Sequence, residues 1–153
     1  MEVRESSLIS RIKNHIQKAR EIVEEKKLSD YYAATSLAME CFQAVNNLID
    51  LGELIVTEKN LGFPEKYRET FEFLFKAGII NKESLETFKR LIFLRNLIAH
   101  EYYHIKEGEL REMVSLLRPA EELIKNSNCL KIFSQDLLST RPRKIFRTEM
   151  RPQ

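Results

Sequence analysis

The chain has 153 residues, a net charge of +2 and two cysteines, Cys41 and Cys129. This length suffices for one domain with a sizeable core. Two cysteines are too few for a disulfide framework, so both are predicted to be reduced, Cys41 as a core residue. No apolar run approaches the roughly 20 residues that a membrane span needs, and the N-terminus lacks the apolar segment of a secretory signal. We therefore expect a cytoplasmic protein.

Two long helices are predicted in the first third of the chain, because apolar residues recur there every three or four positions. Ser29 or Asp30 can cap the second of these helices. Its seam is poor in charge, so it is predicted to be the most central helix. The stripe of the first helix comprises Leu8, Ile12, Ile16, Ala19 and Val23, and that of the second comprises Ala34, Leu37, Ala38, Cys41, Val45, Leu48 and Ile49.

Three further helical patterns follow. Pro64 fits the first turn of a third helix, and Gly78 is placed to end it. Asn81 can cap a fourth helix, here called the motif helix. A last helix is predicted after Gly108, with a kink or break at Pro119. The apolar positions of these helices include Tyr67, Phe71, Leu74 and Phe75, then Leu85, Phe88, Leu91, Ile92, Leu94 and Ile98, then Leu110, Val114, Leu117 and Leu123.

Short connections make consecutive helices antiparallel, so the pattern predicts an all-α, up-and-down bundle of four main helices plus a shorter one. The motif helix, residues 82–99, is apolar over about half its circumference, and Phe93 and Leu97 add apolar surface on its far side. This excess indicates a homodimer with the motif helix at its interface. The alternative is that a loop or the last helix covers Phe93 and Leu97.

The bundle domain is expected to span residues 1–134, followed by a basic tail over residues 135–153. Residues 140–153 carry five basic side chains against Glu149 alone, a net charge of +4, which leaves −2 for the other 139 residues. Such a segment either binds polyanions such as RNA or is a solvated terminus.

The stretch Arg95-Asn-Leu-Ile-Ala-His-Glu-Tyr102 is the most informative part of the chain. On a helix, Arg95 falls inside the apolar sector of the motif helix, where its charge requires an anionic or hydrogen-bonding partner. The structural interpretation is an internal salt bridge or a helix-end contact. Asn96 lies four residues before His100, so the two share one face of the helix.

The spacing Arg-x4-His-x-Tyr, formed by Arg95, His100 and Tyr102, resembles the signature of the HepT-like HEPN proteins. The similarity extends over roughly residues 5–134, which makes it much more specific than a lone Arg-x4-His. The flanking segments that agree in order are Ala44 to Gly52 (AVNNLIDLG), Gly62-Phe63-Pro64, Tyr67 to Phe71, and Ala77-Gly78-Ile79-Ile80.

This resemblance implies the toxin half of a toxin–antitoxin pair whose partner is a minimal nucleotidyltransferase. The implied activity is endoribonuclease cleavage of RNA with no metal and no cofactor. His100 would be the general base or acid, Arg95 the phosphate clamp and transition-state stabiliser, and Asn96 an orienting residue. The partner would attach adenylate to Tyr102, or alternatively to Tyr103, and so block the cleft.

The geometry of a straight helix raises a difficulty, because Arg95 and His100 point about 140° apart on it. Either the helix unwinds near Ala99, or two subunits contribute these residues to a shared cleft, which the resemblance favours. His104 is a second candidate proton carrier. His100 also has a structural interpretation as a helix C-terminal histidine, and Tyr102 as an interface aromatic.

Two other functions stay open. A non-catalytic HEPN module that binds nucleotide or RNA and partners the nucleotidyltransferase would use the same cleft. A helical scaffold dimer with a buried structural arginine would need no cleft. The sequence has no Cys-x-x-Cys, His-Glu-x-x-His or glycine-rich phosphate loop, so it offers no support for a metal centre or P-loop.

Overall fold

Every regular element in the described part of the chain, residues 2–101 and 105–127 of a computed structural model, is a helix. The all-α fold expected from the apolar spacing is therefore confirmed. Helical residues also cover 118–127, after a turn at Leu117. The preceding helices are α1 (Glu2–Glu25), α2 (Tyr31–Glu58), α3 (Tyr67–Lys76), α4 (Lys82–Glu101) and α5 (Glu107–Leu116).

The antiparallel order of the helices follows from contacts between their side chains. Near the middle of α1, His15 Nδ1 lies 2.6 Å from Glu40 Oε2 of α2, as expected for two helices joined by a short turn. In α3 and α4, the rings of Phe71 and Phe88 have centroids 4.7 Å apart. Arg90 Nε of α4 donates to a carboxylate of α5 at 2.7 Å. Since α2 also contacts α3, α4 and α5, all five helices are joined.

The core is built from all five helices and segment 118–127, and most predicted stripe residues lie in it. Val23, Ala34 and Val114 are only partly buried at its margin. The largest fully buried side chains are Phe71, Phe88, Ile12, Ile16, Leu37, Leu48, Leu51, Leu74, Leu91, Leu94, Met113 and Leu117.

Three of the predicted helix boundaries are confirmed. Asp30 caps α2, its Oδ2 accepting from the backbone N–H of Ala33 at 2.9 Å. Asn81 caps α4, its Oδ1 accepting from the N–H of Ser84 at 2.7 Å. Gly78 ends α3 with φ +75°, a left-handed conformation that glycine adopts without the Cβ penalty.

The predicted start of α3 at Pro64 is wrong, because the helix begins at Tyr67. Pro64 lies instead in the loop that joins α2 to α3. A first-turn carboxylate fixes the true start: Glu69 Oε2 accepts from the backbone N–H of Glu65 at 2.7 Å.

The last helix likewise begins earlier than predicted, at Glu107, so Gly108 lies in its first turn. Here the carboxylate of Glu109 accepts from the backbone N–H of Lys106 at 3.0 Å and ties the helix to the preceding residue. The predicted break near Pro119 is confirmed, because α5 ends at Leu116 and helical structure resumes at 118.

The glycine of the segment AVNNLIDLG allows α3 to approach α2 closely. A Cβ added at Gly52 would lie 3.1 Å from Thr70 Cγ2 and 3.4 Å from Phe71 Cε1. Both neighbours are fully buried, so they have little room to retreat. Gly52 therefore sets the position of α3, the helix that borders the candidate site.

Cys41 is buried in α2 as a free thiol, as predicted. Cys129, Tyr102, Tyr103, His104 and the basic tail 135–153 lie outside the described residues. None of the helices over 2–101 and 105–127 is long and apolar enough to cross a membrane.

Candidate functional site

Arg95 projects from α4 into the junction of α2, α3 and α4, where it is half-buried. Its Nε donates to Oδ1 of Asn46 on α2 at 2.8 Å. Its Nη1 donates to Oδ1 of Asn96, the next residue of α4, at 3.0 Å. Two amide oxygens thus orient the guanidinium from two different helices.

Two aromatic rings also contact the guanidinium of Arg95. Its Cζ lies 4.9 Å from the ring centroid of Phe42 on α2 and 5.4 Å from that of Tyr67 at the start of α3. Both distances are within the range in which the negative face of a ring attracts a cation. The rings restrict the position of the guanidinium without neutralising its charge.

The predicted internal salt bridge of Arg95 is not found among the described residues, where no carboxylate lies within 4.0 Å of it. Its Nη2 also makes no hydrogen bond to that part of the chain. Arginine stays charged at all ordinary pH values and presents donors in a planar fork that matches phosphate. The half-buried Arg95 therefore has both a charge and donors available for an oxyanion.

Asn96 acts on Arg95 rather than on His100. No side-chain hydrogen bond joins Asn96 to His100, although the two share one face of the helix. Because Asn96 lies only about 40° around the helix from His100, its bond to Nη1 draws the guanidinium toward the face that carries His100. The side-chain oxygen of Asn96 is thus a hydrogen-bond acceptor for Arg95.

His100 occupies the last turn of α4 and is exposed to solvent. Its imidazole has no hydrogen-bond partner among the described residues. The helix continues without interruption to Glu101, so the proposed unwinding near Ala99 does not occur. Arg95 and His100 of one chain accordingly arise from different faces of one regular helix.

Two grooves flank Arg95. The first is apolar, encloses about 270 Å³ and lies between α2 and α4; the second is polar, encloses about 520 Å³ and lies between α3 and α4. Phe42 borders the first and Tyr67 the second, so the two rings that hold Arg95 also form walls of the grooves. The apolar groove is lined by Thr35, Ala38, Met39, Phe42, Ile98 and Ala99, and the polar groove by Glu65, Lys66, Tyr67, Arg68, Ile92 and Asn96.

The sequence did not single out Asn46, Phe42 or Tyr67 as site residues. Asn46 is 49 positions from Arg95, so their contact leaves no trace in local spacing. One signal was present nonetheless: Phe42 and Asn46 lie four residues apart on the margin of the α2 seam, and a buried arginine needs hydrogen-bond acceptors. The described ranges contain no cluster of three His, Cys, Asp or Glu residues that is placed to hold a metal ion.

Comparison with known proteins finds one matching family for the sequence and solved structures that share the fold. The family described as ribonuclease HepT-like matches residues 12–126. The mRNA nuclease HepT of Shewanella oneidensis is 24% identical over 76 residues, which are 50% of this chain and 57% of that protein. The match thus spans little more than half the length of this relative.

Solved structures share the fold at lower identity. The tri-AMPylated HEPN toxin of Shewanella oneidensis, in complex with an MNT antitoxin, superposes with a TM-score of 0.77 and 20% identity, covering 84% of this chain and 99% of that one. YutE of Bacillus subtilis, a cytosolic protein of unknown function, superposes with a TM-score of 0.63 and 14% identity, covering 97% and 94% of the two chains.

The fold and the site together define an all-α bundle with an available arginine between three helices. The family match extends over more than half of the chain, from the middle of α1 through segment 118–127. The protein belongs to the HepT-like ribonuclease family, as the resemblance of its motif predicted.

Proposed function

We propose that the protein is a metal-independent endoribonuclease, the toxin of a toxin–antitoxin pair with a minimal nucleotidyltransferase. The observation that carries this proposal is the guanidinium of Arg95. It is oriented by Asn46 and Asn96, held against two rings, and paired with no carboxylate among the described residues. An arginine with a purely structural role at a half-buried position would be stabilised by an acidic partner. An arginine that binds phosphate keeps more of its charge for the ligand when no carboxylate is paired with it.

The chemistry assigned to the site is attack of a ribose 2′-hydroxyl on the adjacent phosphorus. His100 removes the 2′-hydroxyl proton or protonates the departing 5′-oxygen, since histidine exchanges protons near neutral pH. Arg95 binds the non-bridging oxygens, whose negative charge grows in the phosphorane. The P–O5′ bond breaks, and the products are a 2′,3′-cyclic phosphate and a 5′-hydroxyl end.

A homodimer reconciles this chemistry with the unbroken helix. Since α4 stays regular to Glu101, the roughly 140° between Arg95 and His100 persists within one chain. A second copy related by a two-fold axis can bring its His100 to the Arg95 of the first. The exposed apolar side chains of Met39 (53%) and Phe93 (42%) supply surface for such contact.

The apolar groove beside Arg95 is the part of this surface nearest the site. It is bordered by Ile98 and Ala99 of α4 and by Met39 and Phe42 of α2. A second copy packing here would exclude water from Arg95 and strengthen its attraction for a phosphate. The leading assignment is therefore a composite cleft at the dimer axis.

Control of the toxin is assigned to adenylylation by the nucleotidyltransferase partner. A structural relative with this fold is a tri-AMPylated toxin bound to an MNT antitoxin. The acceptor proposed for this chain is Tyr102, two residues beyond His100. Each added phosphodiester would place negative charge beside Arg95 and repel the phosphate of RNA.

The second candidate function is a non-catalytic module that binds RNA or nucleotide for the same partner. The free donors of Arg95 would serve binding as well as catalysis, and no described side chain orients the imidazole of the exposed His100. The two functions differ only in whether RNA is cut.

Purified protein incubated with RNA in the presence of EDTA separates the two. The parent is expected to leave 2′,3′-cyclic phosphate ends, and Arg95→Ala and His100→Ala are each expected to reduce the cleavage rate by about 100-fold. Arg11→Ala, on the exposed face of α1, is the control for loss of a positive charge. Full cleavage by His100→Ala, or loss of activity on chelation alone, would reject this mechanism.

A further inference from the structure

The polar groove between α3 and α4 is a second positively charged surface beside the candidate cleft. It encloses about 520 Å³ and is lined by Lys66, Tyr67 and Arg68, with Ile92 and Asn96 on the α4 side. Lys66 and Arg68 are exposed, and neither forms an ion pair within the described parts of the chain. Nothing in the chemistry assigned to Arg95 and His100 uses these cations.

The carboxylates that line the groove do not cancel this charge. Glu65 is the only carboxylate among the residues that line the groove. The neighbouring Glu69 keeps its negative charge, but its Oε2 accepts from the backbone N–H of Glu65 and its side chain does not line the groove. Two free cations therefore face one carboxylate, and the charge of Arg95 lies behind Tyr67.

The groove is continuous with the site. Tyr67 forms its wall and contacts the guanidinium of Arg95, while Asn96 both borders it and accepts from Nη1 of Arg95. Ile92, Asn96 and His100 are spaced by four residues and so form one strip along α4. A strand that passes His100 and runs along this strip reaches the groove after about 6 Å, one helical turn.

The aromatic side chains at the groove favour a nucleic acid over an acidic peptide. Tyr67 is 42% exposed, so its contact with Arg95 leaves part of the residue open to solvent. In the preceding loop Phe63 is 97% exposed. Exposed rings next to unpaired cations form the usual binding surface for single-stranded RNA, in which bases stack on the rings and phosphates meet the cations.

We propose that this groove is an RNA subsite, in which Lys66 and Arg68 bind phosphates of nucleotides adjacent to the scissile bond and Tyr67 stacks on a base. This subsite rests on the proposed ribonuclease function, which it deepens by naming residues that select a single strand. Because duplex RNA keeps its bases stacked on each other, the Tyr67 contact requires an unpaired base.

Binding is tested in the full-length His100→Ala protein, so that cleavage does not intervene, with a short fluorescein-labelled single-stranded RNA. Lys66→Gln/Arg68→Gln is expected to weaken binding about 10-fold at low salt and to reduce the slope of log affinity against log salt by about 1.4, or 0.7 per lost phosphate contact. The matched control is Arg11→Gln/Lys18→Gln, which removes two exposed cations from α1. It should leave both quantities nearly unchanged.

Tyrosine variants test the stacking contact. Tyr67→Phe is expected to bind as the parent does, whereas Tyr67→Leu should weaken binding to the single strand by about 10-fold and affect duplex RNA far less. Because Tyr67 also contacts Arg95, a change at Tyr67 could act through Arg95. The double variant Lys66→Gln/Arg68→Gln is therefore the deciding one. In the cleavage-competent protein, that variant should raise KM with kcat changed less than about twofold.

The outcomes separate the subsite from the underlying function. Unchanged affinity and salt slope in Lys66→Gln/Arg68→Gln, or an equal loss in the α1 control, would remove the subsite even if the parent cleaves RNA. A parent that binds with the expected slope but cuts nothing would keep the subsite and remove the nuclease. Suppose that Lys66→Gln/Arg68→Gln binds RNA normally but is no longer adenylylated by the nucleotidyltransferase. The groove would then be a binding surface for the nucleotidyltransferase, and the RNA proposal would be overturned.

Discussion

Arg95 on α4 donates from Nε to the side-chain oxygen of Asn46 on α2, and this bond joins the motif helix to the central helix at 2.8 Å. The acceptor is a neutral amide where a carboxylate of nearly the same shape would fit. An amide orients the guanidinium but leaves its full positive charge for a ligand. A carboxylate would orient it equally well and neutralise it.

This relationship predicts that the substitution Asn46→Asp lowers activity without lowering stability. The new carboxylate would pair with Arg95, so the melting temperature should be unchanged or higher. RNA cleavage should fall by about 10-fold or more, because the phosphate then competes with a fixed anion. Asn14→Asp, an exposed change of the same type on α1, is the control. Undiminished cleavage in Asn46→Asp would show that the charge of Arg95 is not used.

The composite cleft predicts complementation between two inactive variants. Arg95→Ala and His100→Ala homodimers should each be inactive, but subunit exchange creates heterodimers in which one cleft has an intact Arg95 and His100. With random exchange, about a quarter of the parent activity should return. Light scattering on the same samples checks the dimer. A monomer at micromolar concentration, or no recovery after proven exchange, would place both residues in a cleft of one chain.

Adenylylation predicts a coupled change in mass and activity. With the nucleotidyltransferase partner and ATP, the protein should gain adenylate on Tyr102 and lose RNA cleavage in parallel, because the added phosphates repel the substrate. Tyr102→Phe should cleave normally and resist inhibition, unless Tyr103 serves as acceptor. Tyr32→Phe removes a tyrosine that is 77% exposed on α2 and serves as the control. Peptide mass spectrometry that finds adenylate only elsewhere would reject this switch.

The ion pair between Arg90 and Glu112 predicts a dependence of stability on pH. Hydrogen bonding to Arg90 lowers the pKa of Glu112 from its ordinary value of 4.5. A carboxylate with a depressed folded pKa adds stability above its unfolded pKa, and this contribution disappears as pH falls through the folded value. The difference in melting temperature between parent and Glu112→Gln should therefore be present at neutral pH and shrink below about pH 4. A difference that stays constant to pH 2 would contradict this linkage.

Burial of Cys41 predicts an unreactive thiol. Desolvation in α2, assisted by the nearby charge of Glu40, raises the pKa of Cys41 from 9.0 to about 12. The reactive thiolate is then scarcer by about 1,000-fold at neutral pH than in an exposed cysteine. Iodoacetamide should label the Cys41 peptide in guanidinium chloride and leave it unlabelled in the native protein. Rapid native labelling would show that this part of the core opens.

The features predicted correctly from the sequence are those that local physics determines. Apolar periodicity located the helices, and short-range hydrogen bonds placed the caps at Asp30 and Asn81. The starts of α3 and α5 were mispredicted because Glu69 and Glu109 reach back to backbone N–H groups, so that neither Pro64 nor Gly108 sets the boundary.

The residues of the candidate site show the same difference between local and long-range interactions. The motif could nominate Arg95, Asn96 and His100 as candidates, since these residues lie within two turns of one helix. It could not reveal Asn46 or Tyr67, which reach Arg95 only after α2 and α3 have packed on α4. The regularity of α4 through Glu101 also had to be observed, because the sequence left unwinding near Ala99 open.

The position of Arg95 depends on several helices, and this has a consequence for when the site forms during folding. Its orienting groups come from α2, α3 and α4, and no single helix or hairpin of the bundle holds all of them. A chain still on the ribosome, with α4 not yet packed, carries the motif without the geometry that aims it. In the proposed ribonuclease, competence to bind phosphate would therefore arrive only with the finished domain, and a partly folded chain would lack activity.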